Sequence, residues 1–210
     1  MKKFHHYVYT LIIGILFINY FILFKNNREE KLQYKQCFEN NKKFDYFSKF
    51  LKSNQKESIF NNGTALPRNL QLLNEDNRTI QLSDLIASND NSPKLIIRFS
   101  ADACDICLDE EMKTLNDFIS KIGIENIMIF ASNFNIRSLR VKQNNLSINL
   151  PFYCIEDTGI HFEKKYKSLY VFVVDKGFTV KDFFVPDKIY PDLSKDYYNT
   201  ITNKYYGTTQ

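Results

Sequence analysis

The rhythm of hydrophobic and polar positions changes several times along this chain. Residues 7–24 run without a single charge, from Tyr7 to Phe24. A helix crosses a bilayer with about 20 predominantly apolar residues, or about 17 at the short end. Lys25, Asn26, Asn27 and Arg28 follow, with no small-residue cleavage pattern, so a retained signal anchor is expected rather than a cleaved leader. Beyond it, Phe38, Phe44, Phe47, Phe50 and Leu51 recur mostly every three or four residues, the spacing of an amphipathic helix. Asn61-Asn62-Gly63 is a turn cluster. The expected organisation is an anchor over 1–25, a helical stalk over 26–61 and one domain over 62–210.

Within that domain the period alternates. Leu70-Gln71-Leu72-Leu73 and Thr79-Ile80-Gln81-Leu82, separated by Asn74-Glu75-Asp76-Asn77, read as a hairpin. Ser83 is placed to cap a short helix. Short apolar runs at 94–99, 127–130, 152–155 and 170–175 predict buried strands, and the last turns at Lys176-Gly177 into another over 178–184. Helical spacing covers 104–122, 136–146 and 193–205. Strands alternating with helices predict an α/β fold, a central mixed sheet flanked by helices.

Composition narrows the function classes. Hydrophobic residues make up 44% and charged residues 25%, which excludes wholesale disorder. A net charge of +4 is too small to make nucleic acid the main partner. With 4 Cys in the whole chain, any cysteine chemistry is local rather than a disulfide scaffold.

That chemistry is concentrated at one place. Leu95-Ile96-Ile97-Arg98-Phe99 leads through Ser100-Ala101-Asp102-Ala103 to Cys104-Asp105-Ile106-Cys107, so a Cys-x-x-Cys stands where a buried strand hands over to a helix. Unpaired N–H groups and the positive dipole end there stabilise a thiolate. Cys104 is the expected exposed nucleophile. Cys107, one turn in, is expected to attack the mixed disulfide and release the partner. Asp102, Asp105, Asp109 and Glu110 crowd the pair, and negative neighbours disfavour a thiolate; a raised or ordinary Cys104 pKa and a reductant are expected. Glu110 shares the Cys107 face of the helix and is a candidate proton relay, the other reading being an exposed helix carboxylate.

The chain resembles the thioredoxin superfamily, in particular its membrane-tethered TlpA-like branch of exported thiol-disulfide reductases. The resemblance spans roughly 63–185. It rests on the hairpin with Leu82-Ser83-Asp84-Leu85, and on Cys104-Asp105-Ile106-Cys107-Leu108-Asp109-Glu110. It also rests on the strand, acidic turn and helix between Pro151 and Tyr166, and on Tyr170-Val171-Phe172-Val173-Val174-Asp175-Lys176-Gly177. It implies a thioredoxin-like fold with an N-terminal β-hairpin extension, a Cys104–Cys107 redox disulfide and catalytic roles for Cys104, Cys107 and Glu110. Three positions depart from the pattern. Ala103 stands where such proteins carry Trp, and the chain has none. Leu169 stands where they place a cis-proline, Pro151 being the nearest proline and better fitted to an earlier strand. Without proline a cis bond costs about 2.5–4 kcal/mol, so Ser168–Leu169 is expected trans. Arg98 stands where thioredoxin has a buried acid.

Other readings have less support. Cys37, Cys154, His5, His6 and His161 supply no second ligand pair at a zinc spacing. A peroxidase would need a Pro and Thr pocket before its cysteine, and Ser100-Ala101-Asp102-Ala103 offers neither. A redox-inert anchored binding module stays open beside the enzyme. The expectation is a single-pass protein of a bacterial inner membrane with a periplasmic domain and no cofactor or metal. Its partners are protein thiols and disulfides, and a membrane or periplasmic electron donor.

Overall fold

The computed structural model describes residues 2–87, 92–146, 149–166 and 168–207, with only the backbone described for 2–16, 18, 19 and 136. The chain forms two compact units, Met1–Lys52 and Ser53–Gln210. Helix α1 runs Lys2–Asn61. The uncharged run 7–24 lies in its first part, and most of those side chains fall outside the described residues. Among the described residues no helix is long and apolar enough to cross a membrane. In the first unit Phe38 and Phe44 remain exposed.

The second unit begins before the Asn61–Gly63 turn. The last turns of α1 therefore pack with the α/β elements, and the reason is hydrogen bonding. The Asn54 side-chain amide donates to Val185 O at 2.7 Å and its Oδ1 accepts from Val185 N at 3.0 Å. Asn62 Oδ1 accepts from Phe183 N at 2.9 Å. Gly63, at φ 86, turns the chain so that its N–H reaches Val180 O at 2.8 Å. These groups satisfy the outer edge of strand β7 (Val180–Phe184), an edge that would otherwise expose its N–H groups.

The remaining elements follow the expected alternation. They are β1 (Gln71–Asn74), β2 (Thr79–Gln81), α2 (Leu82–Ala87), β3 (Lys94–Ser100), α3 (Asp105–Asn116), α4 (Ile119–Ile122), β4 (Ile127–Ser132) and α5 (Ile136–Leu146). Then come β5 (Phe152–Cys154), α6 (His161–Lys165), β6 (Tyr170–Val174), β7 and α7 (Pro191–Ile201). The 7-stranded sheet has the order β2-β1-β5-β4-β3-β6-β7. β3, β4 and β5 are parallel neighbours, while β1, β2, β6 and β7 pair antiparallel. The sheet is mixed, as the pattern predicts.

Alternation along the central strands sends side chains to two cores. Leu95, Ile97 and Phe99 of β3 join Leu108, Met112 and Leu115 of α3 and Tyr198 and Ile201 of α7 on one face. Ile96 joins Tyr170, Phe172, Phe162 and Leu82 on the other. The helix read over 104–122 is two helices: Phe118 N–H bonds to Leu115 O at 2.8 Å, tightening the chain and turning Phe118 into the core beside Tyr198, ring centroids 5.6 Å apart. Asp84, not Ser83, supports the start of α2, its Oδ2 accepting from Gln81 N at 3.4 Å, while Ser83 lies inside the helix.

Candidate active site

β3 ends at the buried Ser100, and the chain turns at once. Ala103 N bonds to Ser100 O at 2.9 Å, Asp102 N to Ser100 Oγ at 3.2 Å, and Ala101 N to Ser132 O of the neighbouring strand at 2.9 Å. This short hinge delivers Cys104 as the N-cap of α3, with φ −62 and ψ 114. An N-cap side chain accepts from the orphan N–H groups of the first turn. Here Cys104 Sγ accepts from Cys107 N at 3.4 Å, while Leu108 N bonds to Cys104 O at 3.1 Å. All 4 cysteines are free thiols.

The two thiols of the motif are unequal. Cys104 is exposed and Cys107 half-buried. Hydrogen bonding from Cys107, side chain first and then backbone, holds the Cys104 thiol below its ordinary pKa, with a smaller contribution from the charge of Lys188. Burial pushes Cys107 up to about 11. This overturns the expected raised or ordinary Cys104 pKa. Three of the four acids that suggested it are ion-paired: Lys142 of α5 places Nζ 2.6 Å from Asp105 Oδ1 and 3.8 Å from Asp109 Oδ1. Lys113 lies 2.7 Å from Glu110 Oε1.

Glu110, Glu111 and Cys107 line one narrow cleft of only about 10 Å³, bounded on the other side by Pro186, Lys188 and Pro191. Glu110 is nonetheless an outer residue, its side chain 47% exposed and tied to Lys113. The buried carboxylate is its neighbour Glu111, 4% exposed. Tyr198 donates to Glu111 Oε1 at 2.6 Å and Ser194 to Oε2 at 2.8 Å. Burial raises its pKa. Sequence reasoning missed Glu111, although its place between Leu108 and Leu115, on the apolar stripe of α3, marks it. Lys142 and Lys188 carried no such signal.

Leu169, immediately before β6, is 4% exposed and joins the core against which Ala103 packs. No described peptide bond is cis, so Ser168–Leu169 is trans as expected. Arg98 points to the opposite face, where its Nε lies 2.6 Å from Glu163 Oε1. The other cysteines stand apart from the motif. Cys37 is exposed on α1. Cys154 is half-buried, its Sγ 3.6 Å from Phe134 O, with burial raising its pKa. His161 is an exposed residue opening α6.

A mixed sheet with a Cys-x-x-Cys at the junction of a central strand and the following helix, covered by helices on both faces, is the thioredoxin-like arrangement. Comparison with a solved structure agrees on the fold. A thiol:disulfide interchange protein from Bacteroides sp. superposes with a TM-score of 0.51 at 14% identity, covering 71% of this chain and 93% of that one. An uncharacterized thioredoxin-like protein from Porphyromonas gingivalis gives 0.46 at 16% identity, covering 66% and 93%. The peroxidoxin BcpB from Mycobacterium tuberculosis gives 0.47 at 13%, covering 68% and 98%. No family model and no curated protein matches the sequence.

Proposed function

We propose that this protein is a membrane-anchored thiol-disulfide oxidoreductase that reduces disulfides of exported proteins through Cys104 and Cys107. The carrying observation is the asymmetry of the pair: an exposed Cys104 at a helix N-cap, held below the ordinary thiol pKa, and a half-buried Cys107 held above it. The Cys104 thiolate attacks one sulfur of the client disulfide, and the other client sulfur leaves as a thiolate. Cys107 then attacks Cys104 Sγ, forming the Cys104–Cys107 disulfide and freeing the second client thiol. A thiol donor in the membrane or periplasm reduces the pair again.

The reductive direction follows the resemblance of Cys104-Asp105-Ile106-Cys107-Leu108-Asp109-Glu110 to exported thiol-disulfide reductases; the Cys104 thiolate itself is held chiefly by Cys107 and to a lesser extent by the Lys188 charge. Anchoring through 7–24, with the domain in the periplasm of a bacterium, follows from the uncharged run and from the compartment in which such disulfides persist.

Thiol trapping with a full-length Cys107→Ser variant tests the exchange. Mixed disulfides are expected at Cys104, and none when Cys104→Ser is added. A folded variant that captures nothing, from a wild type that fails to reduce insulin, supports the redox-inert binding module instead. Retention in the membrane pellet after alkaline carbonate extraction is the expected sign of the anchor; release into the supernatant would refute it.

A further inference from the structure

Glu111 is a buried acid that the exchange described above leaves unused. Among the described residues it has no cation partner; its carboxylate is held by the Tyr198 and Ser194 hydroxyls of α7. Burying a carboxylate on so little compensation costs stability that an apolar side chain on this stripe of α3 would not. The position makes chemical sense. Glu111 lies one helical turn beyond Cys107, and both line the cleft bounded by Pro186, Lys188 and Pro191.

Resting on the thiol-disulfide reading, we propose that Glu111, rather than Glu110, is the base that takes the Cys107 proton during resolution, with Tyr198 and Ser194 as its positioning hydroxyls. Cys107 needs such a base, because its thiol is pushed up to about 11 and is protonated near neutrality. In the step, the Glu111 carboxylate accepts the Cys107 proton, directly or across one water of the cleft. The Cys107 sulfur bonds to Cys104 Sγ, the bond from Cys104 to the client breaks, and the client leaves as a thiolate. The proton then passes from Glu111 to that thiolate or to solvent. Burial keeps the Glu111 pKa above that of a free carboxylate, which suits a group that must take up and return a proton. The titratable groups around it are Cys107 and Glu110 on α3, Asp187 and Lys188 before α7, and Tyr197 and Tyr198 on α7.

A chromogenic aryl disulfide, dithiobisnitrobenzoate, separates the two steps in the full chain carrying Cys37→Ser and Cys154→Ser, which leaves only the motif thiols to react. Attack by Cys104 releases one aryl thiolate, and resolution by Cys107 releases the second. In Glu111→Gln the first release is expected to stay within about twofold, while the second slows at least about tenfold at neutral pH, a general base contributing roughly 10²–10⁴-fold. The variant's second release should climb steadily with pH, whereas the wild type levels off once Glu111 is ionised. Tyr198→Phe removes a hydrogen bond to the carboxylate, which favours the proton, so the wild-type inflection should move to higher pH. An unchanged second release and pH profile in Glu111→Gln overturns the assignment. If that variant does not fold, an unmoved inflection in Tyr198→Phe overturns it. A wild type that releases neither aryl thiolate refutes the thiol-disulfide reading itself.

Discussion

Arg98 Nε lies 2.6 Å from Glu163 Oε1, with the two side chains only 4% and 12% exposed. The same carboxylate accepts from Tyr170 Oη at 2.6 Å and from Thr158 N and Oγ1 at 2.7 and 2.8 Å. A cation inside a central strand is tolerable only because α6 carries a buried acid to meet it. Glu163→Gln is expected to destabilise the fold by about 3–5 kcal/mol, because it leaves the guanidinium buried and unpaired. Replacing both residues by Met should recover most of that loss. Denaturant unfolding of the three variants measures it, and a single-variant cost under about 1 kcal/mol would remove the pair from the account.

Alkylation of Cys104 should show a midpoint below that of an ordinary thiol. Hydrogen bonds from Cys107 favour the ionised form, and Cys107→Ala removes the first cause of the shift. The midpoint is then expected to rise and the rate at neutral pH to fall. Rates of iodoacetamide labelling across pH measure this; an unmoved midpoint would place the cause elsewhere.

Lys142→Ala frees the Asp105 and Asp109 carboxylates beside Cys104. Because these acids are more than half exposed, the stability cost should be only about 0.2–1 kcal/mol. Cys104 should nonetheless alkylate more slowly at low salt, and the difference should shrink towards ~1 M salt, where screening is complete within about 3 Å. A salt-independent difference would point to moved backbone rather than charge.

Asn54→Ala and Asn62→Ala each withdraw a side chain that satisfies the outer edge of β7. Each is expected to cost about 1 kcal/mol. Hydrogen exchange should quicken at the Val185 amide in the first variant and at the Phe183 amide in the second. Unchanged protection would mean that the end of α1 does not guard that edge.

Much of the fold was legible in the sequence because strand and helix periods are local. The apolar run ending at Phe99 and the Cys104-Asp105-Ile106-Cys107 that follows placed Cys104 at a helix start, and the structure puts it there. The break between α3 and α4 was not legible. It depends on the tightened bond from Phe118 N to Leu115 O, which leaves the apolar spacing almost unaltered.

The electrostatics of the site were read least well. Four nearby acids suggested a thiolate opposed by charge, yet Lys142, distant in sequence, neutralises two of them, and Lys188 faces the cysteines from the loop before α7.

The sequence by itself determined the strand–turn–helix that presents Cys104 and the order of elements around it. Both follow from steric and hydrophobic preferences acting over a few residues. Only the tertiary structure decided which of Glu110 and Glu111 is buried. Adjacent helical positions differ by about 100° around the axis, and which of them is buried depends on where α7 brings Ser194 and Tyr198. Charge and burial are long-range in the chain even where they are short-range in space, so the Cys-x-x-Cys was visible in sequence and the buried, hydrogen-bonded Glu111 beside it was not.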